Sequence, residues 1–556
     1  MIRRMLSLLA ICVLSLFSVL SGCASIRQQT IDAPDPLSSH PTEQVRNLTS
    51  YPSNELTIGS LDRMPTFDPF GTSKQEALLT AYESLSYRGL VTYGSKRLFD
   101  PSLASDVQIN RNQGKPMITL TLRPEMRWSD GQPITTDDVL FTYQMYARPD
   151  YYGVWRNQMF LIAGVSDYRS GKAPGIAGIT CDKSKRKVQI SLTEERISFL
   201  DALSAPLLPQ HQVADKSLEE ITRLSQTGKL VGAGPYQAER LDEKKWEFEA
   251  NSNYYQGKPH IDYLRVVQID QGHLEPGNNQ NPAILFSWIP PNLARSLAPF
   301  SNAAILMARG NGYHFLGFNT ASAQLKDVSV RRALAQAIPV KQMAEQVFYG
   351  FAVQAKSLSP RKLSTYPTDQ LPSYDPNTAK KILAQHGYTR QKRLVLTLHY
   401  PDDPVRKRMA EFVVKSWEAL PVNIVTKSLP AEQFTEHVFG GNPVDLYLYA
   451  WRYPRNPSEF RALFHSGEKV GELGLNASRY VNQEADQLLE KSQAFLPDEE
   501  RKRLLTKWQQ RFSTDLPIFP LVEAANPYYV AKGKLKGVVE PLGAQPFDNI
   551  HQWFLE

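Results

Sequence analysis

The chain opens with an apolar run, loses all hydrophobic rhythm, and then settles into a long mixed pattern. Residues 5–23 (MLSLLAICVLSLFSVLSGC) are apolar almost throughout. Residues 24–53 (ASIRQQTIDAPDPLSSHPTEQVRNLTSYPS) are polar, rich in Ser, Pro, Gln and Thr, and carry no sustained periodicity. That is the composition of a tether, and as a flexible coil it spans roughly 30 Å. A folded body begins at the apolar strand Asn54–Gly59. Short apolar runs predict further strands at Met117–Leu122, Val188–Leu192, Trp246–Ala250 and Leu264–Ile269. Helical spacing predicts helices over Lys74–Leu85, Thr136–Tyr146, Val330–Tyr349, Thr378–His386, Arg406–Ala419, Gln483–Phe495 and Glu499–Ser513. Asp375 is placed to cap a helix with Pro376 at its first position. The pattern is mixed α/β, without repeats or low complexity.

Arg3 and Arg4, the apolar core, and small residues just before Cys23 have the layout of an export signal. Leu20-Ser21-Gly22-Cys23 resembles a bacterial lipoprotein lipobox, whose cleavage leaves an N-terminal cysteine for acylation. The resemblance implies a signal peptide over residues 1–22, lipidation at Cys23 and a tether over residues 23–53. An apolar run of about 18 residues could also just span a bilayer, but the small residues ahead of the cysteine favour cleavage. Each buried methylene of an acyl chain adds roughly 0.8 kcal/mol, so two or three chains hold a protein firmly. The expected location is the cell envelope. In a Gram-negative cell the anchor sits in the inner or outer membrane facing the periplasm; Ala24-Ser25 lacks the aspartate of inner-membrane retention. In a Gram-positive cell it sits on the outer face of the plasma membrane.

Charge and cysteine count narrow the picture further. Sixty-three Lys and Arg stand against 56 Asp and Glu, a net charge of +7 with the signs interspersed. The cluster Lys183-Ser-Lys-Arg-Lys187 reads as the solvated part of a strand or turn, so no nucleic-acid partner is expected. Of the three cysteines, Cys12 leaves with the signal and Cys23 is acylated. Cys181 is then alone, no internal disulfide forms, and stability must come from the core. The 25 Tyr, 24 Phe and 8 Trp suit either large cores or a gripping cleft.

Six ordered segments resemble the family 5 extracellular solute-binding proteins, the oligopeptide, dipeptide and nickel-complex receptors of ABC importers. The longest is Leu120-Thr-Leu-Arg-Pro-Glu-Met-Arg-Trp-Ser-Asp-Gly-Gln-Pro-Ile-Thr-Thr-Asp-Asp-Val-Leu140, in which Arg123-Pro124 precedes Asp130-Gly131, Pro133 and Asp138. Its physics is coherent. Asp130-Gly131 makes a turn, Pro133 stiffens the next stretch, and Thr135 or Thr136 caps a helix with Asp137 and Asp138 in its first turn. Gly232-Ala-Gly-Pro-Tyr236 with Asn253-Tyr-Tyr-Gln-Gly-Lys-Pro259, Phe315-Leu-Gly-Phe-Asn-Thr320, Val328-Ser-Val-Arg-Arg-Ala-Leu334, Tyr374-Asp-Pro376 with Gly387-Tyr388, and Leu516-Pro-Ile-Phe-Pro-Leu521 come after it in the family's order.

The resemblance implies an α/β, periplasmic-binding-protein type II-like fold of two lobes, with an inserted extra domain and a ligand cleft between the lobes. Domain I then combines residues 54–86, 230–312 and 523–556; domain II spans 87–229 and domain III 313–522. A ligand touching both lobes shifts an open–closed equilibrium by its preference for the closed form. The implied function is capture of a peptide or peptide-like solute by a monomer and its delivery to an ABC permease. A metal-chelate or haem receptor, and a surface adhesin or sensor without a transport role, remain the alternatives.

In peptide-binding relatives a Trp-x-x-Asp segment sets an aspartate against the ligand's ammonium. Trp451 matches the tryptophan here, but the aspartate's position is taken by Pro454 or is lost to a one-residue deletion. Arg452 and Arg455 make this loop cationic, so an anionic solute or a blocked N-terminus is easier to accommodate than a free ammonium. Trp451, Arg452 and Tyr453 are the leading ligand-contact candidates. Trp451 has core packing as its rival role, and Arg452 has pairing with Asp445 or Glu459. By the same resemblance Ser287 and Trp288 fall on a ligand-facing strand and Thr72 and Ser73 on a loop bordering the ligand. Trp128 and Tyr236 read as structural.

Motifs for catalysis are missing. Gly232-Ala-Gly-Pro235 is followed by no Lys-Ser/Thr pair, and neither a His-Glu-x-x-His nor a Gly-x-Ser-x-Gly segment occurs. The histidines, His260, His314, His386, His399 and His465 among them, have no local metal spacing. Asp137-Asp138 and Asp402-Asp403 read as cap or turn residues. No enzyme activity, cofactor or metal is expected.

Overall fold

The structure is a computed structural model describing residues 54–61, 64, 66–72, 77–93, 98–112, 114–269, 284–285, 289, 291–297, 303–308, 312–359, 371–472, 474–524, 526–531, 535–538 and 546–555. The expected signal peptide, Cys23, the tether, Ser73, Ser287 and Trp288 lie outside these residues. Two compact units emerge. One takes the described residues up to Ala308 and those from Pro527 onward; the other lies within Arg309–Asn526.

The first unit is built on a seven-stranded sheet in the order Ala303–Ala308, Asn526–Ala531, Ile284–Leu285, Glu55–Ser60, Tyr263–Gln268, Lys245–Ala250, Tyr236–Leu241. Glu55–Ser60 lies centrally, parallel to both neighbours. Its Leu56 and Ile58 are fully buried, which is what the alternation of this segment dictates. A separate four-stranded antiparallel sheet takes Ala104–Asn112, Lys115–Leu122, Lys187–Ser191 and Ile179–Asp182 in that order. The basic run at 183–187 is the turn between the last two strands, with Lys183 paired to Asp137 at 2.6 Å. Cys181 is free and half-buried.

The long motif organises this unit locally. Thr135 is the cap of helix Thr136–Tyr146: its side chain accepts from Asp137 N–H, while Asp138 accepts from Thr135 N–H at 2.8 Å. Asp138 also accepts from Gln210 N–H at 3.1 Å, and burial raises its pKa despite these bonds. Asp130 accepts from Gln132 N–H and meets His211 at 2.8 Å. Gly131 has φ +88 in this turn, and Pro133 bridges back to Arg127. Arg123, with Pro124 just past the end of strand Lys115–Leu122, lies 5.0 Å from the Tyr255 ring and donates to the Ser102 carbonyl. Trp128 is fully buried, and buried Tyr236 donates to the Ile261 carbonyl at 3.0 Å.

The second unit holds a six-stranded mixed sheet in the order Ala352–Gln354, Ile518–Ala524, Gly312–Phe318, Leu446–Arg452, Leu394–Pro401, Val422–Leu429. Helix Pro376–Gln385 is capped by Asp375 with Pro376 at its start, as its sequence requires. The expected single helix over 330–349 is instead two, Val328–Gln336 and Val340–Gln346. Pro339 lies between them; it has no N–H to donate and drives Ile338 out of helical geometry.

Candidate functional site

Strand pairing puts aromatic side chains on one face of the second unit's sheet. Tyr313 lies opposite Trp451, Phe315 opposite Tyr449 and Gly317 opposite Tyr447. Because strand side chains alternate, these odd-numbered positions share a face. The Tyr447 ring lies over Gly317 so closely that a Cβ there would sit 2.1 Å from it. The Tyr447 hydroxyl is 2.9 Å from the Ser478 hydroxyl. Trp451 stacks on Phe315 (6.3 Å, 17°) and packs on Tyr449 and Phe439. Only 7% of it is exposed. Its core role is therefore plain in the structure.

Three sequence candidates, Trp451, Arg452 and Tyr453, follow one another at the end of one strand of this sheet. Arg452 ends strand Leu446–Arg452 and pairs with Glu459 at 2.9 Å. The other Glu459 oxygen accepts from Arg455 N–H at 3.0 Å. Of the two acidic neighbours weighed for Arg452, Glu459 is the partner. Asp445 instead accepts from Thr397 N–H and its hydroxyl, both at 3.0 Å. The positive charge anticipated for the Trp451–Phe460 loop is thus compensated at Arg452.

Tyr453 turns across the sheet end. Its ring centroid lies 5.4 Å from that of Tyr313, and its hydroxyl donates to Glu523 at 2.9 Å. Glu523 lies near the end of strand Ile518–Ala524 and is half-buried. Sequence reasoning passed over it because no motif includes it. The available signal was a single acidic residue closing the apolar run Ile518-Phe-Pro-Leu-Val522.

Thr72 belongs to the first unit. Asp68 organises its loop by accepting from Thr72 N–H (2.6 Å), the Thr72 hydroxyl (2.7 Å) and Phe70 N–H (3.1 Å). Gly71 takes φ +60 to allow this turn. Asp68 N–H in turn donates to Glu83 at 2.6 Å. Glu83 is buried, and loss of solvation raises its pKa well above the ordinary carboxylate value. Thr72 itself is exposed. Among the described residues no group of three or more His, Cys, Asp or Glu is arranged to hold a metal ion.

These features define a class. The profile of the bacterial extracellular solute-binding proteins, family 5, matches residues 99–471, more than half of the chain, and the chain belongs to that family. Among relatives, the oligopeptide-binding protein AppA of Bacillus subtilis is 23% identical over 525 residues, covering 90% of this chain and 91% of its own. Heme-binding protein A of Haemophilus influenzae is 23% identical over 432 residues, covering 74% and 76%. The solved structure of B. subtilis AppA with a nonapeptide superposes with a TM-score of 0.66 at 22% identity, covering 90% of this chain and 99% of that one. HbpA2 of Haemophilus parasuis gives 0.74 at 19% identity, covering 90% and 100%. The chain therefore has the fold of the family 5 solute-binding proteins. Among the described residues no helix is long and apolar enough to cross a membrane.

Proposed function

We propose that this protein captures a peptide or peptide-like solute outside the cytoplasm and hands it to an ABC permease. The observation that carries the reading is the likeness to an oligopeptide-binding protein over 90% of the chain. The division of the first unit into domain I and an inserted domain II (87–229) is part of the same proposal, supported by its two separate sheets. So is closure of domain III over the ligand, with Trp451, Tyr453 and Thr72 among the contacts. Cells lacking this chain should lose uptake of labelled oligopeptides and regain it on complementation. Undiminished uptake in the deletion strain would end the transport reading.

Anchoring through Cys23 belongs to the proposal as well. Cys23→Ser should move the protein from the membrane fraction to the soluble fraction, and unchanged membrane association would refute lipidation. A haem or metal-chelate ligand is the second reading, favoured by a heme-binding relative at the same 23% identity. Visible absorbance and metal content of the purified protein decide between the two.

A further inference from the structure

Glu523 has one hydrogen-bond partner among the described residues, the Tyr453 hydroxyl, and no described Lys, Arg or His pairs with it. The neighbouring carboxylate, Glu459, is held by Arg452 and by Arg455 N–H. Glu459 thus has a counter-ion, and Glu523 has none among the described residues. A half-buried carboxylate without a counter-ion is costly unless water or a ligand solvates it. Tyr453 fixes the carboxylate's orientation through its hydroxyl, and its own ring packs 5.4 Å from that of Tyr313. The chain enters this unit just before Gly312, which pairs with Arg452, and leaves it just after Glu523. The group thus lies at the end of the sheet near which the chain enters and leaves this unit.

We propose that Glu523, oriented by Tyr453, receives a primary ammonium group of the solute, either an N-terminal amine or a lysine side chain. An ammonium carries three donors and a compact charge. It gains a charge-assisted hydrogen bond from a carboxylate and a favourable electrostatic contact from aromatic faces. The pairing of Arg452 with Glu459 removes one of the two cations from which an anionic solute was expected. The inference rests on the peptide reading proposed above, and its test separates the two.

Three pools of short peptides serve as probes: lysine-free with free amino termini, lysine-free and N-acetylated, and N-acetylated with one lysine. The wild-type protein should hold at least one ammonium-bearing pool about tenfold or more tightly than the acetylated lysine-free pool. Which of the two it prefers assigns the amine to the terminus or to lysine. Glu523→Gln keeps an acceptor for the Tyr453 hydroxyl and should bring all pools within about twofold, at unchanged melting temperature. Tyr453→Phe keeps the charge and should reduce the preference by a smaller factor. A preference that survives Glu523→Gln, or none in the wild type, overturns the role of Glu523 and leaves the peptide reading standing. A Glu523→Gln protein that loses stability and affinity for every pool alike also overturns it. Absence of saturable binding to any pool removes both.

Discussion

Glu83 sits beside Asp68 with its pKa held well above 4.5, chiefly by burial. A raised pKa means that the folded protein keeps a proton the unfolded chain has released. Stability from Glu83 is therefore full below pH 4.5 and declines as pH rises through the folded pKa. Glu83→Gln keeps an acceptor for Asp68 N–H and should flatten that decline, making the variant the more stable protein at neutral pH. Denaturant titrations across pH 4–8 read this directly; identical pH profiles would contradict it. His399 has the opposite sign. Burial, then the stacked His437 ring and Lys427, lower its pKa to about 4. Its unfolded counterpart takes a proton from about pH 6.5 downward, so stability is lost as pH falls from 6.5 toward 4. His399→Phe should lessen this acid limb, measured by the same titrations. Residue roles at this scale were only partly legible. The Trp451–Tyr453 segment stood out by its motif, yet whether Arg452 was free depended on Glu459, seven residues on. Glu523, 70 residues from Tyr453, carried only the weak signal of an acidic residue ending an apolar run, since long-range pairing put the two side chains together.

Helices with caps were readable because their signals are local. Thr136–Tyr146 agrees end to end with its expectation, and Asp375-Pro376 starts its helix as expected. Thr135→Ala removes the reciprocal cap and should cost about 1 kcal/mol in urea unfolding. Unchanged stability would mean that the buried Asp138 contacts alone hold the turn. Edge strands were not readable. Ala104–Asn112 is exposed at most positions, and Val422–Leu429 likewise, so neither carries the apolar alternation that marks a strand. Their pairing partners impose the conformation. The interior strand Leu394–Pro401, next to the edge, is a nearly continuous apolar run, which periodicity alone does not separate from a helix. Sheet register also makes the clearest packing prediction. Gly317→Ala places a methyl into the Tyr447 ring, which must shift away from the Ser478 hydroxyl. The expected loss is about 2–4 kcal/mol by denaturant unfolding, and a loss below about 0.5 kcal/mol would contradict this packing.

At the scale of the molecule, the family was legible because six short motifs occur in one order along the chain. Each encodes a local structure that the fold needs: the Asp130-Gly131 turn, the Thr135 cap, the close backbone approach of Gly232 and Gly234 to the carbonyls of Ser86 and Leu85. The ligand was not legible, because no shared motif or periodicity joins the residues proposed to contact it. The measurement that bears most directly on the proposed function is titration calorimetry of the purified protein with mixed-sequence oligopeptides, paired with thermal unfolding at each concentration. Binding in a one-to-one ratio with a negative heat-capacity change is expected, since apolar surface leaves water as the ligand is enclosed. At a hundredfold excess over Kd the folded state should gain about 2.7 kcal/mol. No saturable heat and no shift in melting temperature with any peptide pool would contradict peptide capture.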